Sequence, residues 1–145
     1  MRRIFAAGLV LVAVAAGAAN LPEGAVQLPV ERQFWESGPA SMPAGTQKLV
    51  LEGDPAKAGP FTMRLRLKPG THIAPHTHPR PERVTVISGA VAVGFGDKFL
   101  DTQMQVFRAG SYYVNPPGVA HYVGIVEDSV VQITAEGPWE VHYLK

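Results

Sequence analysis

The strongest constraint on the fold of this chain is a strict alternation of apolar and polar residues from Phe61 to Leu67. Apolar side chains occupy the odd-numbered positions and polar side chains the even-numbered ones, as in a β-strand with one face in a core. Pro69 and Gly70 follow, and they predict the turn that ends this strand. The chain contains 15 glycines and 13 prolines, so short strands separated by turns are predicted along most of its length.

Several further segments are predicted to be strands, and no segment has a helical period of useful length. The predicted strands are residues 47–52, 82–87, 90–95, 104–107, 112–115, 119–126, 130–135 and 139–144. Many short strands at close spacing favour an all-β sandwich or closed barrel, because closure protects the strand edges. The length of 145 residues fits a single domain.

The composition excludes several classes of function. The chain has no cysteine, so disulfides, thiolate metal sites and cysteine nucleophiles are ruled out. Its formal net charge is only +1, and no patch interleaves basic with aromatic residues. We therefore expect no nucleic-acid partner.

The first residues have the layout of a secretory signal peptide. Arg2 and Arg3 form a short positive region, residues 4–16 are uncharged and largely apolar, and Ala16-Gly17-Ala18 fits a small-x-small cleavage site. We expect cleavage before Ala19, which gives an exported protein, periplasmic or secreted, without a stable membrane anchor. The apolar run is shorter than the roughly 20 residues that a spanning helix needs. The arginine pair leaves twin-arginine export open beside the general secretory route.

The mature chain is predicted to have two parts. Residues 19–45 contain four prolines and lack a clear period, so we expect a surface arm with at most one short strand. No internal repeat or low-complexity tract divides the remainder. The predicted organisation is a signal peptide at residues 1–18, an N-terminal arm at 19–45 and a β-barrel at 46–145.

Three residues in the middle of the chain form the first part of a candidate metal site. Because side chains two residues apart on a strand point to the same face, His76 and His78 can reach one ion. Glu82 has the parity of the apolar residues Val84 and Val86, so it is expected to point inward. An inward carboxylate is costly unless it is paired or coordinated, and metal coordination would account for such a position. From the residues alone, a surface glutamate is the alternative.

His121 is the fourth candidate ligand. It shares the parity of Val119, Val123 and Ile125, so it also faces the apolar side of its predicted strand. A single histidine in such a place is more often a satisfied core residue than a ligand. The motif in which it lies is what favours the metal-binding interpretation.

Two motifs in this region resemble the two conserved motifs of the cupin superfamily. The first motif is matched at every position by Gly70-x5-His76-x-His78-x3-Glu82-x6-Gly89. The second is matched by Gly110-x5-Pro116-x-Gly118-x2-His121. The second motif departs from the family at its end, where Ile125 stands at a position that often holds Asn and is not a ligand. The resemblance covers residues 60–135.

The resemblance implies a fold and a metal centre. It implies a single-domain, cupin-type jelly-roll β-barrel in which His76, His78, Glu82 and His121 bind one divalent metal ion. Fe, Mn, Ni, Cu, Co and Zn all suit three imidazoles and one carboxylate, and the sequence does not choose among them. Homodimers are common in the family, and residues 19–45 are a candidate exchanged arm.

Three functions remain open at this stage, each with a small molecule as the ligand or substrate. The leading one is a metal-dependent, dioxygenase-like enzyme, with Glu82 as a hypothetical acid–base catalyst. The second is a non-catalytic metal- or ligand-binding or sensor module. The third is a metal-dependent sugar isomerase. The substrate is not encoded in the motifs, because a fold does not fix a function.

Other chemically capable residues are assigned no site role. His72 is predicted to lie at the rim or in a loop, and His142 is predicted to face solvent. One of Tyr112 and Tyr113 is expected inside the barrel, because neighbouring residues on a strand point in opposite directions. Phe95 is interpreted as a packing residue.

Overall fold

The computed structural model of the protein describes residues 21–145. The predicted signal peptide lies outside these residues. Within them, no helix is both long and apolar enough to cross a membrane. The strands, in chain order, are β1 (Glu36–Ser37), β2 (Gln47–Glu52), β3 (Gly59–Leu67), β4 (His72–Thr77), β5 (Glu82–Ser88), β6 (Ala90–Phe95), β7 (Gln105–Arg108), β8 (Tyr112–Asn115), β9 (His121–Ile125), β10 (Ser129–Gly137) and β11 (His142–Tyr143).

The strands form two antiparallel sheets that enclose one core. The six-stranded sheet has the order β1-β2-β3-β10-β5-β8, and the five-stranded sheet has the order β11-β4-β9-β6-β7. Strands that follow one another in sequence often lie in different sheets, as in a jelly roll. The prediction of an all-β, single-domain jelly-roll barrel is confirmed.

The predicted alternation in β3 is confirmed by burial. Phe61, Met63, Leu65 and Leu67 are each at most 2% exposed, while the residues between them are partly exposed. Burial of each such side chain contributes about 1.5–3 kcal/mol. The long partner strand β10 alternates in the same way, so these two central strands supply much of the core.

The tight turn between β5 and β6 requires a glycine at the last position of the first motif. Gly89 has a φ of +76°, and a Cβ atom there would lie 2.2 Å from the carbonyl oxygen of Asp128. Only glycine combines this backbone conformation with so close an approach. The turn fixes where β6 begins, and β6 pairs with β9, the strand that starts with His121.

The sequence predictions differ from the structure at residues 139–144 and at Phe95, and β4 was not among the predicted strands. The strand predicted at residues 139–144 is confined to β11, because the backbone N–H of Trp139 donates to Pro55 and the Glu140 carbonyl accepts from His78 instead of joining a sheet. Phe95 is not a packing residue, since it is 51% exposed. It is the last residue of β6.

The N-terminal arm packs against the six-stranded sheet and also reaches the C-terminal strand. Its short strand β1 pairs with β2, and the Trp35 ring lies 4.1 Å from the guanidinium of Arg66. The hydroxyl of Tyr143 donates to the carbonyl of Ser41 over 2.7 Å. The arm and the C-terminal strand therefore meet on one side of the barrel.

Candidate metal centre

The fold brings the four predicted ligands to one place. His76 lies near the end of β4, His78 follows that strand, Glu82 begins β5 and His121 begins β9. Cross-strand pairing sets His76 directly opposite His121. All four residues are at most 5% exposed, and one nitrogen of each imidazole lies within 4.8 Å of the corresponding nitrogens of the other two.

Backbone carbonyls orient all three imidazole rings. Each Nδ1 lies within hydrogen-bond distance of a carbonyl oxygen: Ala74 at 2.7 Å for His76, Glu140 at 2.7 Å for His78 and Val119 at 3.1 Å for His121. A carbonyl only accepts, so Nδ1 carries the hydrogen and Nε2 of the neutral ring carries a free lone pair. Metal-binding histidines are typically held in this way.

Two of the inward nitrogens lack hydrogen-bond partners within the part of the chain that the structure describes, and a metal ion would satisfy them. Among the described residues, Nε2 of His78 and Nε2 of His121 are fully buried and have no hydrogen-bond partner. Leaving such a group unsatisfied costs about 1–3 kcal/mol. Oε2 of Glu82 lies 3.4 Å and 3.9 Å from these two atoms. Three nitrogens and one carboxylate oxygen thus converge as a donor set suited to a divalent transition metal.

Two residues that the sequence analysis missed hold Glu82 in place. The Asn115 amide donates to Oε2 over 2.9 Å, and the Trp139 indole N–H donates to Oε1 over 3.0 Å. Asn115 faces Glu82 across the β5–β8 pair, and this register is not readable from spacing. Trp139 lies 57 residues away in sequence, and no motif marked it.

The electrostatics of the centre favour, for most of the four residues, the protonation state that binds a metal. Burial, followed by the charge of His121, lowers the pKa of His76 to about 4, and burial also lowers the pKa of His121. Burial opposes protonation of His78, but its contact with Glu82 outweighs burial and raises the His78 pKa. Burial likewise opposes ionisation of Glu82, yet its contacts with His78 and Asn115 lower the pKa of the carboxyl to about 2. Neutral imidazoles and an ionised carboxylate are the forms that bind metals.

A narrow cavity adjoins the candidate ligands inside the barrel. Its volume is about 30 Å³, and its walls are mostly aliphatic, with Met42 of the arm and Tyr113 among them. A single water needs roughly 10–15 Å³ of such volume. The cavity therefore has room for about two or three water-sized molecules.

A comparison with models of known protein families identifies the family of this chain. A family model described as a ChrR cupin-like domain matches residues 31–140, which is most of the chain. The chain belongs to the cupin superfamily. The resemblance drawn from the two motifs is thus confirmed.

Individual cupins extend this comparison. Germin-like protein 3-1 of Oryza sativa subsp. japonica is 35% identical over 75 residues, which cover 51% of this chain and 33% of that protein. The chain spans less than half the length of the germin-like relatives it matches. Among solved structures, KdgF from Halomonas sp. has a TM-score of 0.59 at 18% identity and covers 75% of this chain and 90% of its own. The polyketide cyclase RemF from Streptomyces resistomycificus has a TM-score of 0.58 at 15% identity, with 70% and 72% covered. These structural similarities show the fold alone.

The structure of this cupin also shows where the residues without an assigned site role lie. His142 is exposed, as predicted. His72 is exposed but lies in β4 rather than in a loop, and its ring stacks on Phe99 with centroids 4.6 Å apart. Tyr113 is the inward member of the tyrosine pair, because it lines the cavity while Tyr112 is 57% exposed.

Proposed function

We propose that this cupin binds one divalent metal ion through Nε2 of its three buried histidines and Oε2 of Glu82, and that it is a metal-dependent enzyme acting on a small organic molecule. The observation that carries the proposal is the shared orientation of the imidazoles. Each Nδ1–H is committed to a backbone carbonyl, which leaves each Nε2 lone pair aimed at the centre of the cluster. A structural role for the histidines does not require this common geometry.

Dioxygenase-like chemistry is the reaction class that suits the site best. Four protein ligands leave up to two positions open on an octahedral ion, and such an ion polarises and activates the small molecules that bind it. The cavity of about 30 Å³ accommodates a diatomic or water-sized molecule beside the histidines. Its aliphatic walls keep bulk water away from the ion. The polyketide cyclase RemF is an enzyme with this fold, so the architecture is compatible with catalysis.

Glu82 is better suited to be a permanent ligand than a proton acceptor. Its two oxygens each accept a hydrogen bond, one from the buried Asn115 amide and one from the partly buried Trp139 indole, and its pKa is lowered to about 2. A general base works best when its pKa lies near the operating pH. The acid–base role of Glu82 remains a prediction, and the variant Glu82→Gln tests it. Full turnover by a Glu82→Gln variant that still binds metal would refute this role.

A metal-binding module without catalysis is the second candidate. The four convergent donor groups account for metal binding alone, and a binding module needs nothing further from the site. A metal-dependent sugar isomerase is the third candidate, and no observation in the structure favours it over the other two.

The experiment is a measurement of metal content on protein purified from its native compartment. Wild type, His121→Ala and the matched control His142→Ala, whose imidazole is exposed, are analysed by elemental mass spectrometry. We expect close to one equivalent of a divalent metal in wild type and control, and almost none in His121→Ala. Equal metal content in all three proteins would refute the proposed ligand set. Oxygen uptake with a panel of phenols and diketones then separates an oxygenase from a binding module, which consumes no oxygen.

We also propose that the protein is exported and forms a homodimer. Export is supported by the sequence of residues 1–18 alone, and the homodimer by the occurrence of dimers in the family. Amino-terminal sequencing of the mature protein tests the first, with Ala19 expected as the first residue. Sedimentation equilibrium tests the second, and a mass of one chain at micromolar concentration would contradict it.

A further inference from the structure

We infer that Trp139 and Asn115 are positioning residues that make Glu82 a metal ligand through one oxygen only. The inference rests on the proposed function, because it concerns how the carboxylate is presented to the ion. It assigns a role to Trp139, which lies outside both motifs, and to Asn115, which occupies a position that the second motif leaves unspecified.

The two donors approach opposite oxygens of the carboxylate. Asn115 donates to Oε2, the oxygen that lies nearest to His78 and His121. Trp139 donates to Oε1, the other oxygen. Binding of one ion by both oxygens requires Oε1 to turn toward the imidazoles and to leave the indole N–H. The Trp139 hydrogen bond opposes this rotation.

The indole is itself held firmly enough to act as a support. The Trp139 backbone N–H donates to the carbonyl of Pro55 over 2.7 Å. Its ring stacks on His78 with centroids 5.6 Å apart and planes 20° from parallel. One side chain therefore contacts two of the four proposed ligands, and the adjacent Glu140 carbonyl orients the His78 ring.

Asn115 provides an independent observation for the same arrangement. Its side chain is 1% exposed, and among residues 21–145 its Oδ1 atom has no hydrogen-bond partner. An amide kept buried with one end unsatisfied costs free energy. A carboxylate oxygen only accepts, so the amide nitrogen must face Glu82, and the burial of Asn115 serves that contact.

A carboxylate held in this way keeps one more position of the ion free for an external ligand. Three nitrogens and one oxygen occupy four positions, whereas a carboxylate bound through both oxygens occupies a fifth. Trp139 thereby maintains the openness that the proposed enzyme needs. Hydrogen-bond partners of metal ligands commonly change metal affinity by about 10–100-fold when they are removed.

The test uses Co(II) as the probe with the full mature chain, freed of metal beforehand. Trp139→Phe removes the indole donor and retains an aromatic ring against His78. Trp35→Phe is the matched control, because it makes the same change at the other tryptophan, away from the site. Asn115→Ala is the second variant. Co(II) affinity and the visible absorption spectrum of the bound ion are measured for each protein.

We expect Trp139→Phe and Asn115→Ala to weaken Co(II) binding about 10–100-fold and to change the visible spectrum, while Trp35→Phe changes neither. Unchanged affinity and spectrum in both site variants would overturn the inference and leave the proposed function intact. Failure of wild type to bind Co(II) or any other divalent metal would overturn the proposed function itself, and the inference with it.

A measurement on the metal-free protein tests the same hydrogen bond without relying on the Trp139 and Asn115 variants, which could misfold. The two indole N–H resonances of wild type are recorded by NMR and compared with those of Glu82→Gln. The Trp139 signal is expected to shift and the Trp35 signal to stay in place. An unshifted Trp139 signal would show that the indole is not bonded to Glu82, and would also overturn the inference.

Discussion

Acidification is predicted to destabilise the metal-free protein through His76. This side chain is only 4% exposed, and its pKa is lowered from 6.5 to about 4, first by burial and then by His121. Between these two pH values, the unfolded chain binds a proton that the folded protein does not. Stability from this group is therefore present above pH 6.5 and is lost as the pH falls toward 4. Between pH 7 and pH 5 the loss amounts to about 2 kcal/mol.

The assay is urea unfolding of chelator-treated wild type, His76→Gln and His142→Gln at pH 7 and pH 5. The raised pKa of His78 acts in the opposite direction, but it is common to all three proteins. We expect wild type and His142→Gln to lose about 2 kcal/mol more than His76→Gln on acidification. An equal loss in all three proteins would refute the argument, because it would show that His76 is protonated alike in both states.

Three further predictions concern the core and the site. Leu65→Ala is expected to lower the free energy of unfolding by about 2–5 kcal/mol, while Leu100→Ala, at a position 40% exposed, changes it by less than about 1 kcal/mol; similar urea midpoints for the two variants would contradict the assigned core. Gly94→Ala places a methyl group 2.3 Å from the Tyr122 ring and is expected to destabilise the protein by about 1–3 kcal/mol, so a thermal midpoint equal to that of wild type would be inconsistent with this packing. Binding of Co(II) is expected to quench the fluorescence of Trp139, whose ring stacks on one proposed ligand; full fluorescence at saturating Co(II) would count against the location of the site.

Local patterns in the sequence predicted most of the strands, although β4 was not among them, and the two motifs supplied the candidate ligands. The alternation in β3 follows from the two-residue period of a strand, which is a property of neighbouring residues. The two motifs identified His76, His78, Glu82 and His121 as candidate ligands, because the spacing within each motif reflects short turns. Their convergence across the two sheets came from the family resemblance rather than from any single segment.

Contacts set by tertiary packing could not be predicted in the same way. The Pro116-x-Gly118 turn breaks the parity count between β8 and His121, so the inward member of the tyrosine pair became clear only from the structure. The support of Glu82 by Asn115 and Trp139 depends on strand register and on where the chain passes after β10. Phe95 has inward parity, yet it is exposed at the last position of its strand.

Two residues near the end of the sequence orient the candidate ligands, and this has a consequence for the order of synthesis and metal binding. The ring of His78 is oriented by Glu140, and the carboxylate of Glu82 is held by Trp139. A growing chain that has just produced His121 possesses all four proposed ligands but lacks these two supports. Capture of an ion in the proposed geometry therefore requires that synthesis has already passed residue 140.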